Sequence, residues 1–517
     1  MATAGSGCDS NQAQGGRRLP PELWRIAVHY LSDEDIRSLS LVSSSLRELV
    51  LADLFSHVTV CFGLWQSEAS DRYVVGEEAD TVMMGDDESE LERLNVKACE
   101  ILHHIARTPS FARVIKKFSV RAYLVHAGEG IFELFALKEA LLVMTNITSF
   151  RYEGRCPLPN AAVLDALARS SGDVLRELCL PSSDVTRTAL VKFKRLQTLI
   201  LHRPYNPDHM FNSPEDSEVS VADGVEASRD TLTRLTLYGN ALWRCPVRSL
   251  LDLHELEIIL PPSLDGLELI LHHCTGLRYV TFDLFMCENS RLVELLKAHP
   301  EALPRLVAFK LFFGHTDLLT REQTAVIANF LRGKKALRML DLADNDISME
   351  EGAEIPLGEM LRELPALEVL GLNAHHAFLP DDVDIVAFLR DHLPPQLSAL
   401  FLNFTLDDED MSFLGFIDIF RQLTSLRYLH IIDMLGTVDL KQQLLEDHPD
   451  TLQLVGYDSF LRWIEHDPEQ DLPMYSLPWS DSKVRFSTAE DFGCKDWEWL
   501  FRYHAPGAIW HRDLFVP

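Results

Sequence analysis

The chain has 517 residues, of which 47% are hydrophobic and 24% are charged, and this composition is typical of globular proteins. Its net charge of −30, from 78 acidic and 48 basic side chains, argues against nucleic acid and against an anionic membrane as partners, because both are bound through basic surface. No stretch approaches the roughly 18 apolar residues that cross a bilayer, and the first sixteen residues have no apolar core of a signal peptide.

Cysteine and histidine spacing gives no sign of a disulfide framework or of catalysis. The nine cysteines are odd in number and scattered, without a CxxC pair, which is typical of reduced thiols. The histidine pairs, such as His103-His104, lack the spacing of a zinc-binding helix, and no phosphate loop, dinucleotide fingerprint or nucleophile elbow is present. We therefore expect a cytoplasmic or nuclear protein without a cofactor, a metal ion or an active site.

The N-terminal region divides into two parts. Residues 1–16 are small and polar, and we expect them to be disordered. Residues 17–57 predict three short helices: Pro20 and Pro21 lead into the first, and Ser32 is a plausible N-cap of the second. The third begins near Ser43. Apolar residues fall on more faces than three short helices can bury, which predicts an interface.

The order of these residues resembles the F-box. The resemblance is carried by the Leu19-Pro20 opening, Glu22-Leu23, Ile26, Leu31, Asp35-Ile36, Leu39, Leu41-Val42, Leu46 and Leu49. F-box proteins are substrate receptors of cullin–RING ubiquitin ligases, so the resemblance implies that this unit binds a Skp-family adaptor and, through it, a cullin. It implies an adaptor-binding set of Leu19, Pro20, Leu23, Ile26, Leu31, Ile36, Leu39 and Val42. The alternative is a helical cap whose apolar faces pack on the repeats that follow.

Residues 58–109 read as a linker that contains an acidic loop at 66–93. The loop holds ten acidic residues against two arginines, so we expect a solvated surface segment. The alternative is a docking tail for a basic substrate. Helical periodicity returns between Cys99 and Ala106.

From residue 110 to 455 one apolar pattern recurs. Its clearest copies are "LTRLTLYGNAL" from Leu232 and "LRMLDLADNDI" from Leu337, which share the leucine-rich-repeat signature. In these copies Asn240 and Asn345 are expected to bond backbone groups where the chain leaves the strand. Weaker copies begin at Ile115, Ile147, Leu175, Leu196, Leu253, Leu277, Leu306, Leu367, Leu397, Leu426 and Leu452.

The spacing of these copies predicts the fold. From Leu277 onward their starts are 29, 31, 30, 30, 29 and 26 residues apart, and helical patterns lie between them. We therefore expect an α/β protein, a small helical F-box followed by an irregular leucine-rich-repeat solenoid of strand–turn–helix units. The polar, proline-containing residues 203–230 are interpreted as an inserted loop, either a disordered bulge or a substrate contact.

The last segment, residues 456–517, contains five of the eight tryptophans. Because the end of a solenoid exposes an apolar surface, we interpret this segment as a cap, either on the C-terminal repeat or folded across the concave face. The alternative is a partner-binding patch.

Taken together, the resemblance implies the non-catalytic substrate-recognition subunit of a Skp–cullin–F-box ubiquitin ligase, which would hold a protein substrate on the concave face or the loops of its solenoid. The alternative is a leucine-rich-repeat scaffold or inhibitor without a ligase role.

Overall fold

In the computed structural model, the described residues are 28, 31, 33–65, 87–124, 130–202, 215–284, 289–313, 319–343, 354–373, 385–404, 414–433, 438–457, 460–466 and 472–504. Two helices come first, α1 (Asp33–Val42) and α2 (Ser44–Leu54). Ser43 separates them: its side chain accepts a hydrogen bond from the backbone N–H of Leu46 and caps α2.

A single sheet of sixteen strands follows, in sequence order. The first fourteen strands pair in parallel, and the last two are antiparallel. The strands are β1 (His57–Gly63), β2 (Lys117–Tyr123), β3 (Ser149–Cys156), β4 (Glu177–Pro181), β5 (Thr198–His202), β6 (Arg234–Tyr238), β7 (Glu255–Ile259), β8 (Tyr279–Asp283), β9 (Ala308–Phe312), β10 (Met339–Leu342), β11 (Val369–Asn373), β12 (Ala399–Phe404), β13 (Tyr428–Asp433), β14 (Leu454–Tyr457), β15 (Phe460–His466) and β16 (Pro473–Tyr475).

Helices connect these strands and then form the C-terminal tail. They are α3 (Asp87–Arg107), α4 (Pro109–Ala112), α5 (Ile131–Val143), α6 (Ala161–Ser171), α7 (Asp184–Ala189), α8 (Glu215–Ala227), α9 (Leu267–His273), α10 (Asn289–Ala298), α11 (Arg321–Arg332), α12 (Ile355–Arg362), α13 (Ile385–His392), α14 (Leu414–Gln422), α15 (Val438–Glu446), α16 (Asp481–Arg485), α17 (Ala489–Phe492) and α18 (Lys495–Phe501). Short 3-10 helices lie at Leu190–Lys192, Gly239–Arg244 and Val247–Ser249. Within these ranges no helix is both long and apolar enough to span a bilayer.

The predicted repeat positions are confirmed. Each of the thirteen apolar residues at which a copy was placed, from Ile115 to Leu452, lies two residues before a strand, β2 to β14, and each is buried. Alternate residues of every strand then point toward the helices and form one continuous core. The expected α/β leucine-rich-repeat solenoid is therefore the fold of the chain.

The sheet begins earlier than the sequence pattern indicated, so the linker prediction for residues 58–109 is wrong. β1 pairs in register with β2, and its alternating residues Val58, Val60 and Phe62 are buried in the solenoid core. The end of the predicted acidic loop, residues 87–93, forms the first turns of α3, whereas residues 66–86 lie outside the described ranges. The first strand–helix unit thus starts at residue 57.

The prediction of an inserted loop at 203–230 is wrong from residue 215 onward. Residues 215–227 form α8, and Val221 and Val225 on one of its faces are fully buried in the core. Gly224 brings this helix close to Leu190, because any Cβ at Gly224 would overlap the leucine side chain. The segment is the helix of its repeat, while residues 203–214 lie outside the described ranges.

The expected role of the repeat asparagine also fails where it can be checked. Asn240 lies in a 3-10 helix directly after β6, and its buried Oδ1 atom has no hydrogen-bond partner among the described residues. The backbone bonds of that helix close the turn instead. Asn345 lies outside the described ranges.

The sheet is strongly curved. Trp479 packs on Trp463 in β15, with ring centroids 6.2 Å apart, and Phe486 packs on Tyr123 in β2 at 5.8 Å. Seven residues of chain span at most about 25 Å, whereas the thirteen strand spacings from β2 to β15 would cover about 60 Å in a flat sheet. In the C-terminal tail, residues 472–504, β16 extends the edge of the sheet, whereas residues 479–504 lie on the concave face, one of the two placements that the sequence left open.

Candidate functional site

The N-terminal helices have a small core of their own. Val28, Ile36 and Val50 are buried against one another, and this cluster is separate from the solenoid core within the described chain. The link to the solenoid is made at the end of α2, where Phe55 meets Phe111 edge to face with ring centroids 5.2 Å apart. The pair of helices is thus built as a module that adjoins the first repeat rather than as a cover for it.

The predicted adaptor-binding residues divide into three groups. Leu19, Pro20, Leu23 and Ile26 lie outside the described ranges. Ile36 is 8% exposed and belongs to the module's core, and Leu39 packs against that core. Leu31 and Val42 are 38% and 70% exposed. Their contact with an adaptor stays a prediction.

One residue that the predicted set left out is more exposed than its described members. Leu41, at the end of α1, is 77% exposed and lies next to Val42 in the chain. Two adjacent exposed aliphatic side chains at a helix end are costly in water, since each loses about 1.5–3 kcal/mol of burial energy relative to a buried position. Leu41 is nevertheless one of the residues that carry the F-box resemblance, as part of the Leu41-Val42 pair.

The concave face changes character along the sheet. In the N-terminal strands, the outward positions, whose side chains point away from the helices and onto the concave face, are mostly charged. Examples are Arg121, Arg151 and Glu153. From β9 to β14 one row of aligned outward positions is almost wholly apolar and buried: Ala308, Met339, Val369, Ala399, Tyr428 and Leu454. The tail covers this apolar row with Trp479, Phe492, Trp497, Trp499, Leu500 and Phe501.

A second row of aligned residues, two positions further along the strands, includes Lys310 and Asp341. This row anchors the tail through a buried ion cluster. Lys310 Nζ lies 2.7 Å from Asp341 Oδ2, and both side chains are fully buried. The same ammonium donates hydrogen bonds to the carbonyl oxygens of Trp499 and Leu500, at 2.8 and 2.9 Å. His504 Nε2 lies 2.8 Å from the same Asp341 oxygen. Burial alone would raise the pKa of Asp341, but Lys310 and His504 together hold it well below its usual value.

A second anchor joins the tail to β7. Arg502 Nη1 donates to Glu257 Oε1 at 2.6 Å and Nε donates to Glu498 Oε1 at 2.9 Å. Burial would raise the pKa of Glu257, yet Arg502 and Arg234 lower it to about 2. Its carboxylate is therefore ionised at neutral pH and holds the arginine in place.

The third anchor is a bidentate pair between Arg338 and Asp496. The two guanidinium Nη atoms lie 2.7 and 2.9 Å from the two carboxylate oxygens. This fork-on-fork geometry fixes orientation as well as charge. The three anchors fix α18 and the residues directly after it over β7, β9 and β10.

This arrangement limits where a substrate can bind. The concave face was one of the two surfaces on which the sequence placed a protein substrate, but between β9 and β14 the tail fills it. The sequence carried a signal for this, because strands that are apolar on both faces are typical of sheets covered on both sides. Outside those strands, the tail also contacts β7 through Arg502 and β2 through Phe486.

The described residues contain no cluster of side chains arranged to hold a metal ion. Burial raises the pKa of Cys179 and Cys245 to about 12, so at neutral pH both thiols are protonated and poor nucleophiles. These cysteines act as small apolar residues of the solenoid.

Comparison with known proteins identifies the N-terminal module. Residues 17–57 match the F-box domain, which confirms the resemblance seen in the sequence. No curated protein matches the chain.

Among solved structures, the chain is similar to the Rad7 and Elc1 complex in yeast, at 14% identity over 70% of this chain and 82% of that one, with a TM-score of 0.32. It is similar to the leucine-rich repeat-containing protein LegL7 from Legionella pneumophila, at 14% identity over 60% and 93% of the two chains, with a TM-score of 0.32. A third match, the TLR13-ssRNA13 complex, has 13% identity and a TM-score of 0.28, and the alignment covers 68% of this chain but 41% of that one.

Proposed function

We propose that the protein is the substrate-recognition subunit of a Skp–cullin–F-box ubiquitin ligase. In this role the F-box binds a Skp-family adaptor and through it a cullin, and the solenoid holds a protein substrate for ubiquitination. The observation that carries the proposal is the F-box match at residues 17–57, on helices whose core is separate from the solenoid core. The protein would work in the cytoplasm or the nucleus.

The mechanism is proximity rather than chemistry by this chain. A receptor that holds its substrate beside a charged conjugating enzyme converts an encounter in solution into a reaction within one complex, which raises the effective concentration of the reacting groups. No residue of this chain is assigned a catalytic role in that scheme.

The exposed pair at the end of α1 supports this function over a cap or scaffold. A cap would bury its apolar side chains on the first repeat, whereas Leu41 and Val42 are 77% and 70% exposed. Buried in an interface, the two side chains together would contribute several kcal/mol, at about 1.5–3 kcal/mol each.

The test is co-purification of a Skp-family adaptor with the full chain. We expect the wild type to retain the adaptor and Leu41→Asp/Val42→Asp to lose it, because two carboxylates would be desolvated in the interface. Ile36→Asp is unsuitable, since Ile36 is part of the module's core and its loss would unfold the module.

The matched control is Ile131→Asp/Phe132→Asp, an adjacent pair on α5 that is 73% and 83% exposed. This variant should retain the adaptor as the wild type does. Wild-type protein that binds no adaptor would favour the scaffold or inhibitor alternative, and equal retention by all three proteins would place the adaptor elsewhere on the chain.

A further inference from the structure

We infer that the exposed face of α5 is the surface through which two copies of this chain associate. The helix, Ile131–Val143, packs between α3 and α6 on the side of the sheet opposite to the tail. The inference goes beyond the proposed function, because association through this helix requires neither an adaptor nor a substrate.

The sequence of α5, IFELFALKEALLV, is apolar on every side of the helix. Ten of its thirteen residues are apolar, and the others are Glu133, Lys138 and Glu139. The face that packs into the solenoid core is formed by Ala136, Leu137, Ala140 and Leu141. A helix that is apolar all round is normally buried all round, so the opposite face of α5 lacks the cover that its composition predicts.

That opposite face exposes a row of large apolar side chains. Ile131, Phe132 and Phe135 are 73%, 83% and 60% exposed, and Leu142 is 40% exposed. Successive members are one, three and seven residues apart, which places them on one side of a helix. A later helix of the solenoid, α11, instead exposes polar side chains such as Arg321. The apolar row is therefore a local feature of α5.

The row has the area that the centre of a dimer interface requires. At about 150–250 Å² for each large side chain, the exposed parts of the four residues present roughly 500 Å². A standard interface buries about 800 Å² on each partner, and about 65% of a homodimer interface is apolar. One row of this size on each copy thus supplies nearly all the apolar area of such an interface.

The charges beside the row favour a second copy as the partner. Lys138 and Glu139 lie near the middle of the helix on its exposed side, 3.1 Å apart, with side chains 35% and 43% exposed. Two antiparallel copies of α5 around a twofold axis bring each lysine near the other glutamate, and each Ile131 near the other Leu142. A partner of uniform charge would instead repel one member of the Lys138-Glu139 pair.

The net charge of the chain sets the conditions of the measurement. Each copy carries a charge of −30, and two such bodies repel each other in water of low ionic strength. At physiological ionic strength the Debye length is about 8 Å, so charges outside the contact are largely screened. Association is therefore measured at physiological ionic strength.

The test is the mass of the full chain in solution, measured by sedimentation equilibrium over a range of protein concentrations. We expect the wild type to approach twice the 58.7 kDa of one chain. Ile131→Asp/Phe132→Asp should raise the Kd of the dimer at least about 100-fold, because the twofold axis places both changes on both sides of the interface and the loss of a central apolar anchor typically costs tenfold or more.

Reversing the charges distinguishes a second copy from another protein. Lys138→Glu should raise the Kd by about tenfold, since carboxylates alone then meet near the twofold axis. Lys138→Glu/Glu139→Lys should restore association, because each copy again presents both signs to the other. A double variant as weak as Lys138→Glu would overturn the twofold arrangement.

The matched control is Leu41→Asp/Val42→Asp, the adjacent pair on α1 that is 77% and 70% exposed. It should associate as the wild type does and lose the adaptor, whereas Ile131→Asp/Phe132→Asp should lose association and keep the adaptor. A wild type with the mass of one chain at every concentration would overturn this inference and leave the proposed function standing. Association without adaptor binding by any variant would do the reverse.

Thermal unfolding checks folding and provides a second readout. The midpoint of a dimer rises with protein concentration, because association stabilises the folded state. We expect this rise for the wild type and not for Ile131→Asp/Phe132→Asp, with equal midpoints at concentrations too low for association. A dilute variant that unfolds well below the dilute wild type would show that another part of the same chain covers the row, and would overturn the inference.

Discussion

At the scale of single residues, the buried ammonium of Lys310 explains why the tail has a fixed position. Its three donors are used by Asp341 and by the carbonyl oxygens of Trp499 and Leu500. A buried charge is tolerated only when it is paired and fully hydrogen-bonded. Two of these partners belong to the tail, so Lys310 would lose both carbonyl hydrogen bonds if the tail moved away.

Replacing Lys310 by methionine should destabilise the protein by about 3–5 kcal/mol, because the substitution leaves the buried Asp341 carboxylate without its main partner. The free energy of unfolding, measured with a chemical denaturant, checks this. Lys297→Met is the control: the Lys297 and Glu322 side chains are 65% and 79% exposed, and such pairs contribute little. A loss in Lys310→Met no larger than in the control would contradict the role of the buried pair.

At the scale of elements, the strands were predictable and some helices were not. The Leu-x-x-Leu-x-Leu pattern located β2 to β14 because each strand's inward residues are set by its own sequence. In the other repeats, the first residue of the pattern is a buried aliphatic residue two positions before the strand. β1 was missed because Phe55 occupies that position and is 40% exposed at the end of the F-box. α8 was missed because its apolar residues are few, and packing against Leu190 rather than local periodicity makes it helical.

The position of the tail was less predictable for the same reason. Nothing in the local sequence of Lys495–Phe501 specifies which strands it contacts. Its partners, such as Lys310 and Glu257, lie about two hundred residues away in the chain. Sequence pattern could identify a tryptophan-rich segment that needs burial, but contacts at that separation are set by the curvature of the finished solenoid.

The close packing of α18 on β11 depends on a glycine. A Cβ at Gly371 would overlap the carboxylate of Asp341 and come within 3.3 Å of Leu500 Cδ1. Since Asp341 is held by Lys310, it cannot give way, and Gly371→Ala should cost about 1–3 kcal/mol of unfolding free energy.

The matched control for Gly371→Ala is Gly333→Ala, where the nearest atom to the added Cβ is a backbone oxygen 4.0 Å away and φ is −72°. That substitution should be neutral or stabilise by up to about 1 kcal/mol, because it restricts the unfolded chain. We expect the denaturant midpoint of Gly371→Ala to fall below that of the wild type, and the midpoint of Gly333→Ala to equal or exceed it. A stabilised Gly371→Ala would show that α18 does not pack against β11 as closely as described.

At the scale of the whole molecule, the tail connects parts of the solenoid that do not otherwise touch. A repeat in a solenoid contacts its neighbours alone, so its stability is local and units can unfold separately. The tail adds contacts from Phe486 to β2, from Arg502 to β7 and from Trp479 to β15. These cross-connections make distant repeats depend on one another.

Removal of residues 481–517 should therefore abolish cooperative unfolding as well as lower stability. For the wild type we expect unfolding followed by far-ultraviolet circular dichroism and by tryptophan fluorescence to coincide, whereas the truncated chain should give separate transitions. Its uncovered apolar row from Ala308 to Leu454 should also bind a hydrophobic dye.

The control is removal of residues 505–517, which leaves every described contact of the tail in place and should preserve a single transition. If the chain lacking residues 481–517 still unfolded in one step at the wild-type midpoint, the solenoid would be cooperative without its tail. The anchors at Lys310, Arg338 and Arg502 would then fix the tail without stabilising the sheet.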